Sequence, residues 1–72
     1  MGYRINYRLR EWRERRRLSQ REAAELVGIR QQSWSAIETG RHQNPHRVTL
    51  IGIARVLGCD VRDLTRVPRP GE

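Results

Sequence analysis

Cysteine is nearly absent from this 72-residue chain: Cys59 stands alone, so no internal disulfide can form and packing must hold the fold together. Long apolar runs are missing too. The opening MGYRINYRLREW alternates charged with apolar residues, which excludes a secretory signal, and no segment could span a bilayer. Gly2 follows Met1, but Asn6 stands where a myristoylation motif wants Ser or Thr. There is no strand signal, internal repeat or linker. A Ser/His/Asp or Cys/His set is lacking as well, and His42 and His46 sit beside Pro45 without further ligands nearby. No enzyme, metal centre or cofactor is therefore expected. At 72 residues the chain has room for one small core but not for a buried multi-residue active site besides.

Lysine is missing altogether: all fifteen basic residues are arginines, against eight acids, for a net charge of +7. A planar guanidinium fork suits phosphate oxygens and base edges, so a polyanion is the leading class of partner. A GC-rich genome would produce the same arginine bias. Hydrophobic residues make up 36% and charged residues 32%, enough apolar material to condense a core. The charge is unevenly spread. Residues 1–17 hold seven arginines against Glu11 and Glu14, residues 18–39 sum to −1, and residues 40–72 sum to +3.

Helical spacing organises the chain. Ile5, Leu9 and Trp12 mark the inner stripe of a first helix over about 6–16, with Arg16 laying its stem on the core rim and keeping its head wet. Its three-residue stripe is needed for a core, which argues against a membrane surface. Ser19 and Glu22 form a capping box for a second helix ending near Val27, with Leu18 placed as a staple, Ala23 and Ala24 inward, and Gly28 as the stop. A third helix starts near Arg30, buries Trp34 and Ile37, and ends at Gly40. Asn44 and Pro45 are suited to start a fourth, His46 to Leu57, burying Val48 or Leu50 together with Ile51, Ile53, Ala54 and Leu57. Asp60 caps a fifth, Val61 to Thr65. Residues 67–72, with two prolines and a glycine, are expected to be a disordered tail on a domain of residues 1–66.

Two short helices about a glycine turn, over residues 19–39 of a small basic all-helical domain, read as a helix-turn-helix. LSQ at the second helix, Ala24, Gly28, Trp34, Ile37 and the GR at Gly40–Arg41 occur in the order and spacing of the phage repressor and Cro family, which the chain resembles over about residues 5–65. The resemblance implies an all-α, compact five-helix bundle of the lambda-repressor-like DNA-binding kind, with the third helix in the major groove of double-stranded DNA. Gln31 and Gln32 then match base-reading positions, and glutamine can bond adenine N6 and N7 as a pair. Ser35 faces the same way, and Ala36 matches a position whose methyl would meet a thymine methyl. Gln20, Thr39, Arg41, His42 and Asn44 fall where the family grips the phosphate chain, Gln20 also bracing the Gln31 amide, and Arg30 is a further candidate for a backbone contact. Arg13 and Glu38 match a structural salt bridge between the first and third helices.

The chain departs from the family at three places. Arg30 replaces a small capping hydroxyl, so the third helix either frays or lends Arg30 to DNA. Arg17 stands where a glycine is usual before LSQ, and Trp34 fills a slot normally held by Val or Ile. A sequence-specific transcriptional regulator, most simply a repressor, is expected. It would be cytoplasmic and nucleoid-associated, and would pair as a homodimer through the fifth helix and the loop before it. The alternative is an antitoxin or adaptor of the same fold acting on a protein partner such as a toxin or anti-repressor. A third, nonspecific binding, predicts equal affinity for any duplex.

Overall fold

The computed structural model describes residues 7–42 and 44–71. Four α-helices follow one another: α1 (Leu9–Arg15), α2 (Gln20–Val27), α3 (Gln31–Glu38) and α4 (Arg47–Leu57). The expected fifth α-helix is instead a 3-10 helix, Val61–Thr65. Its bonds run three residues back, from the Asp63 amide to Asp60 O at 2.9 Å and from the Arg66 amide to Asp63 O at 3.0 Å. The first helix is shorter than the expected 6–16, since Tyr7 and Arg8 precede it in non-helical conformation; Ile5 and Asn6 lie outside the described residues.

α2 is bounded by residues visible at its ends. At the entry to α2, Ser19 Oγ accepts from the Glu22 amide at 3.0 Å, and the Glu22 carboxylate accepts from the Ser19 amide at 2.9 Å. The Ser19 amide and hydroxyl hold that carboxyl below its ordinary range. At the exit, Gly28 takes φ +89 and its amide and that of Ile29 both donate to Ala24 O, turning the chain sharply into α3. A similar turn ends α1, but there Arg17 holds the left-handed conformation, with φ +57. The Leu18 amide closes that turn on Arg13 O at 3.2 Å.

The core gathers Tyr7, Leu9, Trp12, Ala23, Ala24, Trp34, Ile37, Ile53, Ala54, Leu57 and Leu64. Ala23 and Ala24 keep α2 thin, so that α3 and α4 both pack closely on it. Leu64 seals the bottom. The Arg8 amide donates to Leu64 O at 2.6 Å, and the Trp12 indole donates to Asp63 O and Arg66 O at 3.1 and 2.9 Å. The 3-10 helix is thereby tied to α1. Asp63 in turn accepts from Arg66 Nε at 2.8 Å and from the Asp60 amide, which hold its carboxyl below the usual range.

Three expectations about α4 and its neighbours need correction. The helix begins at Arg47 with His46 at its cap, so Asn44 and Pro45 precede it and do not start it. Val48 is 80% exposed and Ile51 38%, whereas Leu50 packs against the core. Arg16 does more than wet its head: its Nε donates to Leu57 O at 3.0 Å, placing a cation on the carbonyl end of α4. Cys59 is half-buried beside it, and loss of hydration together with Asp63 and Asp60 pushes its thiol up to about 11.

Candidate nucleic-acid interface

α3 is anchored from behind by two side chains, Trp34 and Ile37, at 0% and 2% exposure. Everything on its outer side follows from that pair. Gln31 and Gln32 stand exposed in the first turn, while Ser35 and Ala36, one turn later, are half-buried. Residues four apart on a helix are surface neighbours, so Gln31 with Ser35 and Gln32 with Ala36 form one uncharged stripe that continues to Thr39. Ser33 is exposed in the same first turn. Helical spacing sets it to the side of the stripe, apart from Ser35.

Charge lies at the ends of this stripe and not on it. Arg30 is the cap residue of α3, in extended conformation, and its side chain makes no capping bond. Beyond the helix, Gly40 turns with φ +84, and the His42 amide donates back to Ala36 O at 2.9 Å, folding the following segment against α3. Arg41, His42 and Asn44 are exposed along that segment. Thr39 is differently engaged, since its hydroxyl donates to Ser35 O at 2.7 Å. Its one proton is thus held within the helix.

Behind the stripe sits a four-donor knot. Glu38 accepts from Arg13 Nε at 2.9 Å and from the Arg13 terminal nitrogen at 3.1 Å, from Gln20 Nε2 at 2.9 Å and from Trp34 Nε1 at 2.8 Å. The Arg13 and Glu38 side chains are only 13% and 6% exposed. Burial pushes the Glu38 carboxyl up, but the Arg13, Gln20 and Trp34 bonds together outweigh it and leave it below the ordinary carboxylate range. Arg13 is correspondingly held more firmly protonated, chiefly by its bond to Glu38. Arg13 also donates to Leu18 O at 2.8 Å, so one guanidinium joins the α1–α2 turn to the end of α3. The Gln20 and Trp34 bonds to this knot were not foreseen. The second had a signal, since Trp34 and Glu38 are four apart on one helix; the first spans eighteen residues and has none.

A family model described as a helix-turn-helix domain matches residues 7–67, nearly all of the described chain. The chain belongs to the Cro/cI-type helix-turn-helix family. Among solved structures, the restriction-modification controller protein C.AhdI from Aeromonas hydrophila is 33% identical, with a TM-score of 0.74, the match covering 79% of this chain and 85% of that one. SinR, the master regulator for biofilm formation, solved in complex with DNA, is 29% identical with a TM-score of 0.76, over 82% of this chain and 94% of that one. In the SinR protein/SinI protein complex, identity is 30% and the TM-score 0.76, over 79% of this chain, but the match covers only 55% of that chain. Against this helix-turn-helix chain, curated protein sequences give no match. Among the described residues no helix is long and apolar enough to cross a membrane, and no three His, Cys, Asp or Glu side chains gather as metal ligands.

Proposed function

We propose that this helix-turn-helix chain is a sequence-specific DNA-binding transcriptional regulator, most simply a repressor, that inserts α3 into the major groove. The observation that carries the reading is the uncharged stripe of Gln31, Gln32, Ser35 and Ala36. It is turned outward on a helix whose back is locked by Glu38. Amide side chains read donor and acceptor patterns on base edges, and arginines at the flanks hold phosphates. Arg30, Arg41, His42 and Asn44 are the backbone contacts in this reading. Thr39 joins them only by giving up its bond to Ser35 O. That the similar SinR is solved in complex with DNA supports DNA as the partner.

The regulator works as a homodimer on DNA, its two α3 helices about one helical turn, roughly 34 Å, apart. The pairing surface in this reading is the Val61–Thr65 helix and the loop before it, and Val48 and Ile51 of α4 leave further apolar surface in water. The domain comprises residues 1–66 with 67–72 as a tail, acts in the cytoplasm at the nucleoid, and needs no cofactor. The SinR–SinI complex supports a protein partner in addition to DNA, such as a toxin or anti-repressor.

Selection of bound duplexes from random DNA tests the proposal. An enriched inverted repeat with adenines in each half-site is expected, and Gln31→Ala with Gln32→Ala should relax that preference. Equal retention of all sequences, with affinity set by salt alone, would mark nonspecific binding and sink the regulator reading.

A further inference from the structure

Gln20 opens α2, where the family resemblance assigns its amide to a DNA phosphate. In this chain the amide has an internal partner: Nε2 donates to Glu38 Oε2 at 2.9 Å from a half-buried side chain. Glu38 is the last residue of α3. The bond therefore joins the first residue of α2 to the last residue of α3, the two ends farthest along the chain from the Gly28 turn. Helix, turn, helix and hydrogen bond close a loop.

That closure matters because the turn alone is a weak protractor. It consists of a left-handed glycine, Ile29 and Arg30, and Arg30 makes no side-chain bond to steady the start of α3. At 1.5 Å per residue Ser35 and Ala36 lie about 6–8 Å along α3, so a tilt error of ten degrees at the turn displaces them by roughly 1 Å, while Gln31 and Gln32 beside the turn move less. Base reading tolerates about 0.5 Å and 10–20°. A carboxylate is only an acceptor, and Glu38 is 6% exposed, so each donor lost leaves a lone pair unfilled where water replaces it poorly.

We infer that Gln20 is a positioning residue for sequence reading, one that acts through Glu38 to set the tilt of α3; a phosphate contact through the second N–H of its amide is the competing outcome of the test. The inference rests on α3 being the recognition helix. Arg13 ties Glu38 to α1, and Gln20 supplies the matching tie to α2.

The test compares two labelled duplexes of equal length, the site enriched from random DNA and a scrambled version of it. Gln20→Met keeps the length of the side chain and removes its amide. It should weaken binding to the enriched site about tenfold, the size of one hydrogen bond to a charged group, and leave the scrambled duplex within about twofold. In a Trp12→Phe background, where Trp34 is the one tryptophan left, its emission should shift in the protein without DNA, and the Gln20→Met effect should shrink in a Glu38→Gln background. Equal weakening on both duplexes with unchanged emission is the signature of a phosphate contact and overturns the inference. If Gln20→Met melts below the assay temperature, Gln20→Asn, which keeps the amide but falls short of Glu38, carries the same expectations. A parent protein that binds both duplexes alike overturns the recognition-helix reading, and this inference with it. A parent that discriminates, beside a Gln20 variant that discriminates equally well, overturns this inference alone.

Discussion

The indole nitrogen of Trp34 donates to Glu38 Oε1 at 2.8 Å, one turn further along the same helix. A tryptophan in this slot can be fully buried because its one polar atom has a partner, and that partner is the carboxylate on which α1 and α2 also converge. The large ring thus serves both the core and the lock behind the reading face. Trp34→Phe keeps most of the apolar bulk and removes the donor. Urea denaturation should show a loss of about 1–2 kcal/mol for the missing bond, against about 3–5 kcal/mol for Trp34→Ala, which also empties the core.

Acid should loosen the same lock. The Glu38 carboxyl lies below its ordinary value in the folded protein, so the folded state binds the proton less readily than the unfolded chain. Its stabilising contribution is whole above the unfolded value of about 4.3 and is lost as pH falls through the lower folded value. Glu22 and Asp63, held low by their own partners, act in the same direction. Thermal melts from pH 6 down to 2 should show a falling midpoint, and Glu38→Gln should flatten part of that slope. An unchanged slope would assign the acid sensitivity to Glu22 and Asp63.

Arg17 carries a conformational cost that glycine would avoid. Its φ of +57 closes the α1–α2 turn, where the left-handed region costs a residue with a Cβ about 1–2 kcal/mol. Glycine recovers that but loses roughly 0.5–1 kcal/mol through its freer unfolded chain. Arg17→Gly should therefore stabilise by about 0.5–1 kcal/mol and raise the melting midpoint by several degrees. Arg17 is exposed and makes no ion pair among the described residues, so nothing offsets the gain. A midpoint that stays level or falls would overturn the argument that the left-handed conformation costs Arg17 more than glycine loses in the unfolded chain.

Local chemistry is what the sequence made legible. Ser19 and Glu22 announced the start of α2, Gly28 its end, and Trp34 with Ile37 the buried side of α3, because caps and helical spacing act within a few residues. α4 resisted the same treatment. Val48, Leu50, Ile51, Ile53, Ala54, Val56 and Leu57 are apolar nearly all the way round the helix, so spacing could not tell the buried side from the exposed one, and Val48 and Ile51 proved to face water. The Trp12 indole reaches one carbonyl of the 3-10 helix and that of Arg66 just beyond it across more than fifty residues, and the Gln20–Glu38 bond also joins residues outside the reach of local spacing. For the site, the outward stripe was legible, whereas the knot that holds it from behind was known only through the Arg13–Glu38 pair that the family resemblance supplied.

Separation of reading from gripping gives the last expectation. The stripe of Gln31, Gln32, Ser35 and Ala36 carries no charge, while Arg30 and Arg41 stand exposed just before and just after α3. Each phosphate neutralised by a cation releases counterions, so losing one such contact lowers the slope of log affinity against log salt by about 0.9. Removing an amide that pairs with a base leaves the slope alone and costs about 1–3 kcal/mol on the preferred base only. Arg41→Ala should then weaken every duplex alike and flatten the salt dependence by about one unit. Gln32→Ala should preserve the slope and reduce discrimination at one position of the half-site. Arg30 is decided by the same plot: a flattened slope in Arg30→Ala marks a phosphate contact, and an unchanged slope leaves it as a solvent-facing residue at an uncapped helix start. If Arg41→Ala altered base preference while Gln32→Ala changed only the slope, the division of labour between α3 and its flanks would be the reverse of the one argued from their charges.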